Sequence, residues 1–171
     1  MFNGCTGLTT IPNNFLPATT LANYCYSHMF SRCSGLTLLN EFALPATTLA
    51  SDCYSSMFSY CSSLTSAPAL PATTLASDCY YAMFRDCTSL TTAPELPATT
   101  LATTCYYGMF QNCSRLTTAP ELPATTLTTY CYSNMFERCT SLTTAPELPA
   151  TILKIRCYYC MFYSCSKLNY I

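Results

Sequence analysis

Hydrophobic positions return along this chain at a fixed period. From Leu96 onward they fall at Leu96, Leu101, Cys105, Met109, Phe110, Cys113 and Leu116, with threonine, proline and other polar residues between. The same order starts at Leu16, Leu44, Leu70 and Leu122, and in shortened form at Leu148. Leu101, Cys105 and Met109 are spaced four and four, which predicts one face of an α-helix two to three turns long. Thr99 or Thr100 would cap that helix, and Gln111-Asn112 would leave it. Ser89-Leu90-Thr91-Thr92 reads as a short β-strand rich in β-branched residues. Pro94 and Pro97 lack backbone donors and end it. The expected class is therefore an α/β repeat, with short parallel strands on one face and short helices on the other.

The methionines mark the phase. Met1, Met29 and Met57 are 28 residues apart, and Met83, Met109, Met135 and Met161 then follow at intervals of 26. The two additional residues fall in Leu8–Phe15 and Leu36–Ala43, just before the Leu-Pro pair, as expected of a loop on one face of an array. No linker interrupts residues 1–171, which form a single array of about six units. A unit this small cannot bury enough apolar surface to order itself, so neighbouring copies must share a core. Met1-Phe2-Asn3-Gly4-Cys5 aligns with Met29–Cys33, and Ser166-Lys167-Leu168 aligns with Ser114–Leu116. With no polar cap visible at either end, the chain is read as a slice of a longer polypeptide.

Composition narrows the field. Half the residues are hydrophobic, yet no run approaches the roughly 18 apolar residues of a membrane span. The net charge is −1 with no basic stripe, which argues against nucleic acid as a partner. No signal-peptide pattern is visible. Fourteen cysteines are far above ordinary usage. They suit either a disulfide framework in an oxidising compartment or a ladder of thiols packed as small hydrophobes.

The phrase Met-Phe-x-x-Cys-x-x-Leu-Thr-x-x-Pro-x-Leu-Pro, repeated over essentially the whole chain, resembles the BspA-like (Treponema-type) leucine-rich repeats. Its units are longer than the family's, and it adds a second cysteine before tyrosine, as in Cys79-Tyr80. The resemblance implies a right-handed leucine-rich solenoid that is extracellular or on a cell surface. It further implies adhesion through a repetitive surface to a protein ligand, host matrix or neighbouring cell. No binding residues can be carried over, because the family has no fixed ligand motif. The alternative is a filament or stalk component whose units act as spacer or self-association surface. No Ser-His-Asp set, phosphate loop or cofactor motif points to an enzyme, and no cofactor is expected.

The cysteines come in pairs eight residues apart: Cys25/Cys33, Cys53/Cys61, Cys79/Cys87, Cys105/Cys113, Cys131/Cys139 and Cys157/Cys165. A straight helix would hold such a pair about 12 Å apart, so a disulfide within the unit requires the chain to turn back. Buried free thiols and bridges between units are the alternatives, and Cys5 and Cys160 are left over. Zinc is disfavoured by the spacing and by the presence of one histidine, His28, read as a variable surface position. Cys157-x-x-Cys160 lacks a thioredoxin-like setting. Glu95, Glu121 and Glu147 share one phase and form a carboxylate column, which reads as a solvated edge rather than a calcium site. The paired threonines form hydroxyl rows of the kind seen in ice-binding solenoids, but the flanking prolines argue against one flat face.

Comparing the units with one another separates constant from changing positions. Leu-Pro-Ala-Thr-Thr-Leu barely changes. Residues such as Asn23-Tyr24, Ser27-His28 and Ser31-Arg32 change from copy to copy, so recognition that differs between units must use them. Tyr60, Tyr81, Tyr107, Tyr130, Tyr159 and Tyr163 are the candidate contact residues there. Packing of each tyrosine against its neighbour in the stack is the competing role.

Overall fold

The computed structural model describes every residue except Leu38, Asn40, Glu41, Phe42 and Ile171. The expected loop at Leu36–Ala43 thus lies partly outside the described residues. Among those described there is no α-helix, and parallel pairing is confined to isolated bridges such as Thr74↔Thr100 and Thr92↔Thr118↔Thr144. The expected helices are absent, and the expected strand at Ser89–Thr92 is reduced to one bridging residue. This overturns the α/β class. The leucine-rich solenoid with strands on one face and helices on the other is not the fold.

In place of each helix stands a curl of overlapping β-turns, at 22–33, 50–61, 76–87, 102–113, 128–139 and 154–165. In the fourth curl the amides of Cys105, Tyr107, Met109, Gln111 and Cys113 each donate to the carbonyl three residues back. The intervening amides of Thr104, Tyr106, Gly108, Phe110 and Asn112 donate to the next curl, at Thr129, Cys131, Ser133, Met135 and Glu137, over 2.8–3.1 Å. Odd-numbered donors close turns and even-numbered donors bond to the neighbour. Every second peptide therefore satisfies its donor only when another copy is stacked on it.

The spacing of four explains the curl. A four-residue step overshoots a helical turn by about 40°, so Leu101, Cys105, Met109 and Cys113 would drift roughly 120° around a helix. Here Cys105, Met109 and Cys113 are all fully buried, as are Tyr106 and Phe110. Returning to the same face every four residues requires the chain to reverse its local hand once per step. Thr104, Gly108 and Asn112 do so, with φ of +53°, +56° and +62°. Each is the third residue of its turn, where type II turns require positive φ. The same three phases are left-handed in all six curls.

The interior is one hydrophobic cluster running from Ile11 to Met161. Phenylalanines Phe2, Phe30, Phe58, Phe84, Phe110, Phe136 and Phe162 stack at 5.5–5.8 Å with rings within 8° of parallel. A tyrosine column (Tyr26, Tyr54, Tyr80, Tyr106, Tyr132, Tyr158) stacks beside it at 5.7–6.0 Å. These spacings suit offset aromatic pairs. Uniform register follows because slipping one copy would break the ring columns and the alternating donors together.

All fourteen cysteines are free thiols, ten of them buried. In the second column, the thiols of Cys61, Cys87, Cys113 and Cys139 each donate to the phenylalanine carbonyl of the preceding unit, over 3.1–3.2 Å. Each cysteine thus acts as a small apolar filler that also ties two units together.

Candidate recognition face

The second to fifth curls bury Cys-Tyr, Met-Phe and Cys, which leaves the third and fourth residues of each step for the outer wall. Those phases are the ones that change between units. In the six curls, the position of His28 is filled by His28, Ser56, Ala82, Gly108, Asn134 and Cys160. That of Arg32 is filled by Arg32, Tyr60, Asp86, Asn112, Arg138 and Ser164. The wall is therefore a grid with constant backbone and changing side chains.

Adjacent curls bring these side chains into contact. Asn112 Nδ2 donates to Asp86 Oδ1 at 2.8 Å, and Gln111 Nε2 donates to Glu137 Oε2 at 2.6 Å. Asn134 also donates to Glu137, which is buried. Thr104 donates its hydroxyl to Asp78. At the far end, the Arg156 guanidinium lies over Tyr130 at 5.9 Å and Tyr159 at 5.2 Å, and donates to the Tyr130 hydroxyl at 3.2 Å.

The candidate tyrosines divide into three groups. Tyr60, Tyr159 and Tyr163 are exposed. Tyr81 and Tyr107 are half-buried and stack on each other at 5.1 Å. Tyr130 is engaged by Arg156. Tyr60 and Tyr81 meet in one basin of about 380 Å³, together with His28, Arg32, Ser56, Ser59 and Arg85. The other four do not line it.

The basin follows from local sequence. The second curl carries serine at Ser55, Ser56 and Ser59, all buried. Ser56 lies between His28 and Ala82 of the neighbouring curls, Ser59 lies between Ser31 and Arg85, and Arg32 stands at the phase of Tyr60. Ser31, Ser56, Ser59 and Ala82 form a small-residue floor, with His28, Arg32, Tyr60, Tyr81 and Arg85 standing around it. The Arg32 guanidinium lies 5.4 Å from the centroid of the Tyr60 ring, which holds it at the rim. Arg85 Nε lies 3.3 Å from Asp86 Oδ2, and neither atom completes a hydrogen bond.

The sequence pattern marks Tyr60 and Tyr81 as candidate contacts and His28 and Arg32 as variable positions open to recognition, but does not single out Arg85. The available signal was the column arrangement. Arg32, Ser59 and Arg85 lie in neighbouring units at adjoining variable phases, which becomes visible only when the units are superposed.

Deep burial disfavours the thiolate form in the centre of the stack. Burial pushes Cys53 up to about 11, and Cys61 and Cys105 to about 12, which holds all three protonated near neutrality. Among the described residues no group of three or more His, Cys, Asp or Glu is placed to hold a metal. No helix among them is long and apolar enough to cross a membrane. Comparison with known protein families, curated proteins and solved structures finds no match. The leucine-rich, adhesive and secreted description rests on the repeat pattern, the cysteine density and the family resemblance, and a helix-free stack of turns is not the fold that resemblance implies.

Proposed function

We propose that this chain is a non-enzymatic recognition scaffold, in which a constant stacked interior supports a variable outer wall that binds a partner. One observation carries the reading: within one chain, the residues that differ between copies collect at the outward phases of the curls. Cys105, Tyr106, Met109, Phe110 and Cys113 have identical counterparts in the curls around Cys79 and Cys131, while the residues between them differ except for the shared tyrosine at Tyr81 and Tyr107. A purely mechanical spacer would tolerate uniform serine or threonine on that wall. The wall instead presents tyrosine, arginine, histidine and asparagine, side chains suited to making specific contacts.

The reading is tested with a variant in which His28, Arg32, Tyr60, Tyr81, Arg85, Tyr107, Gln111, Arg138, Tyr159 and Tyr163 all become serine. Both proteins are applied to printed arrays of glycans and purified proteins. The expected result is a defined set of ligands for the native chain, lost in a variant whose circular dichroism is unchanged. A variant that folds and keeps the same ligands overturns the proposal.

A further inference from the structure

We infer that the basin over Ser56 and Ser59 binds an acidic saccharide; the inference rests on the recognition reading and names the ligand class for one part of the wall. The first support is electrostatic. The chain has seven lysines and arginines in all and a net charge of −1. Two of the seven, Arg32 and Arg85, converge on this basin with the single histidine, and none of its lining residues is acidic. Asp86 beside Arg85 offsets part of that charge, which leaves the Arg32 side the more positive. Guanidinium forks bind carboxylate and sulfate oxygens through paired, charge-assisted hydrogen bonds.

The second support is shape and surface chemistry. Tyr60 and Tyr81 supply flat apolar faces, and the serine floor supplies hydroxyls beside them. A sugar ring presents both kinds of surface: C–H groups that lie on an aromatic ring, and hydroxyls that exchange hydrogen bonds with serine. A volume of about 380 Å³ lies at the low end for small-molecule sites and suits one or two rings.

The third support is preorganisation. Arg32 is held against Tyr60 by its cation–π contact, and both residues sit at left-handed positions, with φ of +61° and +62°. Asparagine adopts that conformation more readily than arginine or tyrosine, and Asn112 fills the same phase two units after Tyr60. Asn112 thus supplies a substitution for this phase that the backbone already accepts.

The test uses a sulfated uronic-acid disaccharide as probe, followed by titration calorimetry on the native chain. A neutral glucose disaccharide and phenyl sulfate serve as comparison ligands. Substitutions are taken from equivalent phases, so the fold already accommodates them: Arg32→Asn as at Asn112, and Arg85→Gln as at Gln111. The expected result is saturable binding of the acidic disaccharide, with the neutral one at least about tenfold weaker. Each basin variant should weaken binding about tenfold, equivalent to about 1.4 kcal/mol. Arg138→Asn, at the same phase as Arg32 but outside the basin, should leave it unchanged. Equal loss in Arg138→Asn would reduce the effect to overall charge and overturn the inference. So would equal affinity for the neutral sugar, affinity for phenyl sulfate matching the disaccharide, or no binding of the acidic probe. If the acidic probe fails while the serine-wall variant still loses its array ligands, the basin assignment alone falls. If the probe binds while the serine-wall variant keeps its array ligands, the wider recognition reading falls.

Discussion

Removing one oxygen from the centre of the tyrosine column should stabilise this protein. Tyr80 is almost fully buried, stacked between Tyr54 at 5.8 Å and Tyr106 at 5.7 Å, and its hydroxyl has no hydrogen-bond partner. Burial pushes its ionisation well above the ordinary tyrosine value, in keeping with a hydroxyl removed from water. Burying an unpaired hydroxyl costs about 1–3 kcal/mol on protein mutational data. Tyr80→Phe keeps the ring and its stacking, and loses only the few contacts of one oxygen at about 0.1–0.2 kcal/mol each. The net expectation is a gain of about 1–2 kcal/mol, or roughly 2–8 °C in Tm for a chain of this length. Urea unfolding should show a higher midpoint with an unchanged slope. Tyr26→Phe is the control, because Tyr26 stands in the same column only half-buried, and it should be near neutral. A loss of more than about 1 kcal/mol in Tyr80→Phe would mean that the hydroxyl is paired, for instance with an ordered water, and that the column interior is not dry.

Other consequences follow from the same geometry. Burial raises the thiols of Cys53, Cys61 and Cys105 to about 11, 12 and 12, so the unfolded chain releases its thiol protons first as pH rises. Stability should hold below about pH 8.5 and then decline as pH climbs toward 11–12, which urea midpoints across that range would reveal; no decline would contradict it. Native protein treated with a chromogenic disulfide reagent should react quickly at exposed Cys5 and Cys25 and slowly at Cys61, Cys87 and Cys113. Addition of denaturant should bring the total to fourteen without reductant, and a shortfall restored by reduction would reveal disulfides. Ala82 sits at φ +49° in the phase that Gly108 fills, so Ala82→Gly should add about 1 kcal/mol by relieving left-handed strain, and a loss of stability would refute that account.

Much of the array was legible in the letters because repetition constrains phase without reference to secondary structure. Cys105, Met109 and Phe110 face inward whether the unit is a helix or a curl, so the inward list could be drawn from spacing alone. The helix could not be excluded in the same way. A spacing of four over two steps fits a helical face, and only a third step, to Cys113, exposes the drift. The decisive feature was the phase of the left-handed residues, and the sequence largely conceals it. Glycine fills it at Gly108, asparagine at Asn112 and Asn134, and aspartate at Asp52, Asp78 and Asp86, but histidine, cysteine, alanine, threonine, serine, tyrosine and arginine occupy it elsewhere. Local preference there is overridden by hydrogen bonds that exist only between copies, such as Phe110 N to Met135 O at 2.9 Å. The basin was hidden for a related reason. Arg32 and Arg85 are 53 positions apart in the chain, and the stack sets them around a shared serine floor.

The alternation of donors separates what the protein can vary from what it cannot. Because both sets of curl hydrogen bonds are made by backbone, no outward side chain is needed to hold one unit against the next. Side chains that do bond across units, such as Asn112 to Asp86 and Gln111 to Glu137, add to a junction that five backbone bonds already define. Stability therefore resides in the inward columns and the peptide ladder, and the outer wall is free to change residue by residue at modest cost, chiefly the local preference at the left-handed phase. A fold with that division can carry different contacts in each copy without altering its register. The basin between Arg32 and Arg85 illustrates this, since small side chains from three successive curls, Ser31, Ser56, Ser59 and Ala82, form its floor within an unchanged backbone.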